Sequence, residues 1–179
     1  KRLPGIYQLI DGTVSVSKLR PVDYSDLLGR EHIDIDLRSS FSVLSGSCVL
    51  VTGAGGSIGS ELCRQLAAYA GLKRLVMFDI YENTTYDIQQ ELKRDHPELD
   101  IRTIIGIICN AEMLDTLFDR YEIEYVFHAA AHKHVPLMEH VPSEAFNNNI
   151  LGTYTLVKAA DAHHVKRFVM TSTDKAVNP

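Results

Sequence analysis

The stretch Cys48-Val49-Leu50-Val51-Thr52-Gly53-Ala54-Gly55-Gly56-Ser57-Ile58-Gly59 decides the fold. A short apolar run stops at a glycine cluster. Apolar residues then recur at helical spacing as Ile58, Leu62 and Leu66, until Gly71 supplies a stop. This predicts a buried strand, a tight turn and a helix. Gly53, Gly56 and Gly59 stand at the spacing G-x-x-G-x-x-G, and each has its own task. The first makes the tight turn, the second lets backbone approach a pyrophosphate, and the third packs helix closely on strand. The helix start at Ser57 and Ile58 offers unpaired N–H groups and a partial positive charge to phosphates. Gly53, Gly55, Gly56, Ser57, Ile58 and Gly59 are therefore the candidate cofactor-binding residues of this loop.

Outward from the loop, strands and helices alternate. Leu75-Val76-Met77-Phe78 is a second buried run that ends at Asp79, and a polar helix over 84–94 is closed by Pro97. A third strand is expected over 101–105, and a third helix around Leu114, Leu117 and Phe118. A fourth strand reads over 125–131 and a fifth over 168–171. Between them Pro142 opens a long helix with apolar positions Ala145, Phe146, Ile150, Leu156 and Val157. Strands apolar on both faces, alternating with helices, predict an α/β fold with a doubly wound parallel sheet. Asp79 follows Gly59 by twenty residues, at the end of the second strand, where an acid grips a ribose 2′-hydroxyl. Its carboxylate repels a 2′-phosphate, and no Arg or Lys follows within several residues to accept one. NAD is the expected cofactor and NADP the alternative.

The whole chain has 179 residues, enough for one ordinary domain. Its 45% hydrophobic and 23% charged fractions exclude a disordered or collagen-like chain. Lys and Arg number 18 against 23 Asp and Glu, a net charge of −5 that argues against nucleic-acid binding. Cys48, Cys63 and Cys109 stand at no metal-ligand spacing, which suits a reducing compartment. No apolar run approaches the ~20 residues that a membrane span needs. Residues 1–46 show weak periodicity and turn signals at Pro4-Gly5, Asp11-Gly12 and Leu28-Gly29. Short alternating stretches at 13–16 and 33–37 resemble strand fragments. This segment is expected to be an extended N-terminal arm, and 47–179 the cofactor-binding domain.

Three further strings carry a family resemblance. The glycine loop together with Val126-Phe127-His128-Ala129-Ala130-Ala131 resembles the extended short-chain dehydrogenase/reductases, whose core is a Rossmann fold. The run from Val51 to Leu62, His132-Lys133-His134-Val135-Pro136-Leu137-Met138-Glu139, and Ser172-Thr173-Asp174-Lys175-Ala176-Val177-Asn178-Pro179 resemble one branch closely. That branch is the polysaccharide-biosynthesis dehydratases and epimerases acting on nucleotide sugars, in particular on UDP-N-acetylhexosamines. The stretch from Arg20 to Arg30 is similar to the connector that, in the large members, joins an upstream domain and transmembrane helices to the catalytic domain. The resemblance thus implies a protein anchored in the inner membrane through segments upstream of this chain, with its catalytic domain on the cytoplasmic side. It also implies a UDP-sugar substrate, a homo-oligomer, and a chain truncated at both ends: this one opens without Met and stops at Pro179, before the family's Tyr or Met, its following Lys, and the nucleotide-sugar domain.

A 4,6-dehydratase removes hydride from C4, loses hydroxyl from C6 and returns hydride to C6, so its cofactor is recycled and can stay tightly bound. Elimination needs a base at C5 and an acid at the C6 hydroxyl. The resemblance assigns Asp174 as that acid, Lys175 as the base and Thr173 to the 4-hydroxyl. The chemistry requires a raised Asp and a lowered Lys pKa. The resemblance also implies cofactor contacts from Ala129, Ala130, Ala131 and Asn149, and a substrate contact from Lys133. One departure is that Gly106-Ile107-Ile108-Cys109-Asn110 stands where the family has a small polar residue followed by Ile-Arg-Asp. A C4 epimerase and a non-catalytic NAD(P)-binding module are the alternative functions.

Two patterns compete for attention. Tyr69-x-x-x-Lys73 and Tyr154-x-x-x-Lys158 match a Tyr-x-x-x-Lys pair, but both precede the fifth strand, whereas the family's pair follows it. They are expected to be structural. His128 and His132 have helical zinc spacing, yet His128 belongs to a strand and no H-E-x-x-H is completed, so no metal site is expected.

Overall fold

A computed structural model describes residues 36–172. The chain enters through α1 (Leu37–Phe41) and one 3-10 turn (Ser42–Leu44). Five strands follow: β1 (Cys48–Thr52), β2 (Arg74–Asp79), β3 (Asp100–Ile105), β4 (Tyr125–His128) and β5 (Arg167–Met170). They form one all-parallel sheet in the order β3-β2-β1-β4-β5. Helices α2 (Ser57–Tyr69) and α3 (Glu82–Asp95) connect the first three strands. Helix α4 (Ala111–Tyr121) carries the chain back across β1 to β4. Two short helices, α5 (Val135–His140) and α6 (Pro142–Ala145), then lead through a π-helical segment (Phe146–Gly152) into α7 (Thr153–Ala162).

β1 is buried along its whole length, as a central strand covered on both sides must be. Alternation sorts its side chains. Val49 and Val51, with Leu75 and Met77, pack against Leu66 of α2 and Leu92 of α3. Leu50, with Val76, Phe78 and Val126, packs against Leu114 and Phe118 of α4 and Leu156 of α7. Apolar side chains on both faces of the strands thus give the doubly wound Rossmann-like sheet expected from sequence. The order of connection reverses between β1 and β4, which opens a crevice beyond their C-terminal ends.

Three expectations need correction. β4 stops at His128 rather than running to 131. It pairs only as far as β1 extends: Thr52 faces His128, and Ala129 donates to the Thr52 carbonyl at 3.0 Å. The helix expected from Pro142 is composite. Its widened π turns break the 3.6-residue period, so Leu156 is buried while Phe146, Ile150 and Val157 are exposed. Residues 36–46, read as part of the arm, belong to the packed unit that begins at Asp36. The Asp36 carboxylate caps α1 by accepting from the Arg38 and Ser39 amides, so Leu37 opens a helix rather than ending a strand fragment. Leu44 enters the core beside Tyr125, whose hydroxyl donates to the Val43 carbonyl. The α2 face of β4 carries apolar side chains that need this cover. The arm residues 1–35, and Thr173, Asp174 and Lys175, lie outside the described residues.

Candidate functional site

A cleft of about 600 Å³ lies along the C-terminal ends of β1 to β4, at the crevice where the connections reverse. Its floor is the loop between β1 and α2. Gly53 has φ +71°, a conformation that only glycine adopts freely. A Cβ there would stand 2.7 Å from the Ala129 carbonyl and the Ala130 nitrogen. The loop and the end of β4 therefore touch backbone to backbone. A Cβ on Gly59 would collide with the Gly53 carbonyl oxygen, so α2 starts as close to the strand as two backbones allow. A Cβ on Gly55 would lie 2.5 and 2.7 Å from the Thr84 and Thr85 hydroxyl oxygens of α3. Gly56 differs: an added Cβ finds only the Gly53 oxygen, at 3.2 Å, because this residue lines the open cleft. Gly56 is also the N-cap of α2, and no side chain caps that helix. Ser57 and Ile58 lie exposed in its first turn. Amide groups and the positive end of the helix dipole are thus presented at the cleft, as an anion requires.

Asp79 ends β2 and is only 9% exposed. Its Oδ2 accepts from the Gly55 amide at 2.8 Å and its Oδ1 from the Tyr81 amide at 2.9 Å. The carboxylate therefore holds the glycine loop to the start of α3. Each carboxylate oxygen keeps a further lone pair, which can accept a ribose hydroxyl. One side chain thus serves the fold and the candidate site together.

The opposite wall follows β4. Ala129, Ala130 and Ala131 line the cleft with minimal side chains, and His132, Lys133 and His134 form its rim. Two clamps set this wall. The first is His128, buried at the end of β4: its Nδ1 lies 2.7 Å from Thr52 Oγ1, and its Nε2 lies 2.9 Å from Thr153 Oγ1. Burial pushes its pKa down to about 4, so the ring is neutral near pH 7, with one nitrogen donating and the other accepting. The second clamp is Asn149 in the π segment. Its Oδ1 accepts from the His132 amide at 2.8 Å, and its Nδ2 donates to the His132 carbonyl at 2.9 Å.

Most of the residues singled out in the sequence meet here. Gly53, Gly55, Gly56, Asp79, Ala129 to Ala131 and Lys133 line one cleft. Gly59 acts from behind, through packing. Asn149 reaches the loop backbone, while its neighbour Asn148 lines the cleft. Thr173, Asp174 and Lys175 fall beyond the described residues. Tyr69 and Tyr154 do not line the cleft, and Lys158 sits 5.8 Å from the Tyr154 ring centre in a cation–π contact. Among the described residues no group of three His, Cys, Asp or Glu could hold a metal. No helix among them is long and apolar enough to cross a membrane.

Some lining residues were not legible beforehand. Leu137 and Met138 come from α5, whose six residues are too few to show a period, although Pro136 near its start was a usable signal. Ile80 and Tyr81 carried no signal, Ile107 stood out only as part of the Gly106–Asn110 departure, and only the fold shows all three exposed along the cleft.

The sequence profile of the family described as "Polysaccharide biosynthesis protein" matches residues 49–179. The probable polysaccharide biosynthesis protein EpsC of Bacillus subtilis is 43% identical over 100% of this chain and 30% of its own length. The capsular polysaccharide biosynthesis protein CapD of Staphylococcus aureus is 41% identical over 99% of this chain, again 30% of its own length. This chain therefore spans under a third of those relatives. Among solved structures, a UDP-glucose 4-epimerase from Stenotrophomonas maltophila, with bound NAD and formylated UDP-arabinopyranose, is 27% identical. The match has a TM-score of 0.65 and covers 72% of this chain and 38% of that one.

Proposed function

The chain belongs to the polysaccharide biosynthesis protein family, and from that premise we propose that it is the cofactor-binding part of a nucleotide-sugar 4,6-dehydratase acting on a UDP-N-acetylhexosamine. The observation that carries this reading is the glycine loop. Its backbone packs against Ala129 and Ala130, yet it leaves Gly56 and the uncapped start of α2 open to the cleft, with Asp79 at one side. These residues fit a nicotinamide dinucleotide: a pyrophosphate over Gly55 and Gly56, and a ribose hydroxyl on Asp79. NAD is the cofactor this favours, because a 2′-phosphate would meet the Asp79 carboxylate. When bound, that cofactor supplies reversible two-electron oxidation of a sugar carbinol carbon.

The chain's own residues do the rest. Ala129 to Ala131 leave room for the cofactor along the end of β4. Lys133 contacts the substrate from the rim. Asp174 donates a proton to the departing C6 hydroxyl, Lys175 takes the C5 proton, and Thr173 hydrogen-bonds the 4-hydroxyl. These last roles rest on the resemblance of the Ser172–Pro179 string to the dehydratases. A C4 epimerase is the second reading, favoured by the 27% identity to an enzyme of that name. It would need no acid at C6. In the whole protein we place the catalytic part on the cytoplasmic side of a membrane, anchored through segments outside this chain, and assembled as a homo-oligomer.

Two measurements test the reading. Calorimetric titration of this chain should show NAD binding at least about tenfold tighter than NADP; tighter NADP binding would remove the role of Asp79. In the whole protein, incubation with UDP-N-acetylglucosamine should give a 4-keto-6-deoxy product lighter by one water, and Lys175→Ala should abolish it. An unchanged mass with inversion at C4 would select the epimerase.

A further inference from the structure

One peptide unit at the end of β4 bonds to the chain on both sides. The Ala129 amide donates to the Thr52 carbonyl of β1 at 3.0 Å, and the His128 carbonyl accepts from the Thr171 amide, just after β5, at 3.0 Å. The Thr171 hydroxyl reaches the same carbonyl at 3.4 Å. Among the described residues these are the last rungs, because pairing ends at Thr52 with His128 and at His128 with Met170. A terminal rung has no neighbour beyond it and frays first, unless something else holds it.

The His128 side chain supplies that hold. Its ring is buried, with Nδ1 2.7 Å from the Thr52 hydroxyl oxygen and Nε2 2.9 Å from that of Thr153, the first residue of α7. Phe168 of β5 lies beside it, with ring centres 6.0 Å apart. An imidazole bonded at both nitrogens keeps one rotamer, and the backbone that carries it is fixed with it. These bonds unite the parts of the site. Thr52 directly precedes Gly53 of the dinucleotide loop, and Ala129 opens the alanine wall. Thr153 follows the π segment that holds Asn149, and Thr171 stands two residues before Thr173 in the sequence. His128 itself does not line the cleft.

We infer, on the nucleotide-sugar reading above, that His128 is a positioning residue: its ring locks the His128–Ala129 peptide as a rigid bridge between the dinucleotide loop after β1 and the Thr173–Lys175 string after β5. Hydride and proton transfers at one sugar ring need both groups in place together. Their separation governs the rate of the chemical step, and a misplacement of about 1 Å can cost roughly 100-fold. The glycine loop and Asp79 hold a dinucleotide without the bridge. Weakening it therefore lowers turnover and spares affinity.

The test is made in the whole protein. Thr153→Val removes the Nε2 partner at a half-buried position with little change of shape. Conversion of UDP-N-acetylglucosamine per bound NAD, by loss of water or by inversion at C4, should fall at least about tenfold. KM and NAD affinity should stay within about threefold. Hydrogen exchange at the Thr171 amide should quicken about tenfold. His128→Asn, whose amide reaches only the Nδ1 position, should repeat this pattern, and Thr153→Ser, which keeps the hydroxyl, should match the unaltered protein. Unchanged Thr171 exchange in both Thr153→Val and His128→Asn overturns the inference. So does a rate that falls only as bound NAD falls, because that marks a ring that merely stabilises the fold. If the unaltered protein binds NAD and converts no UDP-N-acetylglucosamine, the nucleotide-sugar reading itself falls. The positioning role then falls with it, while Thr171 exchange still decides whether the ring locks the bridge.

Discussion

The two walls of the cleft are built by different means. The wall from β1 to α2 is made of backbone: Gly53 against Ala129, Gly59 against Gly53, and the Gly55 amide on Asp79. The wall after β4 is made of short, exposed segments held by side chains. There His128 joins the ends of β1 and β4 to α7, and Asn149 grips His132. The first kind of wall rests on close backbone approaches that Gly53, Gly55 and Gly59 permit, and at those three positions it has no room for a side chain. The second depends on partners 17 to 76 residues apart, and it can loosen by degrees. One end of the cleft is thereby preorganised, while the other is adjustable.

Substitutions should expose this contrast. The largest effect is expected from Gly59→Val, whose side chain has no place between α2 and the Gly53 carbonyl. It should cost about 3 kcal/mol or more, read as the loss of denaturant midpoint, and cofactor binding should go with it. Gly56→Val separates the loop's two tasks. The strain is small because only the Gly53 oxygen is near, but the side chain takes the space a pyrophosphate needs. NAD affinity should fall at least about 100-fold while the circular-dichroism spectrum stays α/β. Unchanged binding would reduce the loop to a turn.

The second wall should respond to pH. His128 has a folded pKa of about 4, below its ordinary 6.5, because burial disfavours the charged ring. The unfolded chain then binds more protons between those values. Stability from this group is complete above pH 6.5 and falls as pH drops toward 4, by about 2 kcal/mol at pH 5. Chemical denaturation at pH 7 and pH 5 measures it, and His128→Asn should flatten that part of the profile. A slope that persists in the variant would place the titration elsewhere. The smallest effect is expected from Asn149→Ala. It removes three hydrogen bonds at a half-exposed site, two with the His132 backbone and one from the Asn148 amide, and should cost about 1 kcal/mol. Hydrogen exchange at the His132 amide should rise, and the Gly55 amide should keep its protection. Equal loosening of both would deny that the two walls are independent.

How much could be read in advance follows the same division. The glycine spacing, the apolar runs and Asp79 gave the first wall with its residues, because each requirement there is local: a positive φ, a close approach, an acid at a strand end. The extent of β4 was misjudged because Ala129 to Ala131 are apolar enough to continue a strand, and only the length of β1 stops them. The apolar pattern of the long helix failed at Phe146 and Ile150, since a π segment abandons the period on which the pattern depends. His128 drew notice as a candidate metal ligand, whereas two threonine hydroxyls from distant parts of the chain make it a core hydrogen-bonding residue.

The sequence by itself determined that this chain is a parallel α/β sheet with a glycine-rich turn after its first strand, because strand burial, helix periodicity and glycine conformations are set by neighbours within a few residues. Only the tertiary structure decided that Asp79 also holds the glycine loop, that Asn149 grips the backbone of His132, and that Ile80 and Ile107 both line the cleft. Those facts depend on which strand lies beside which and where each one stops. Hydrogen bonds and contact area are fixed by distance in space, and distance along the chain does not encode it.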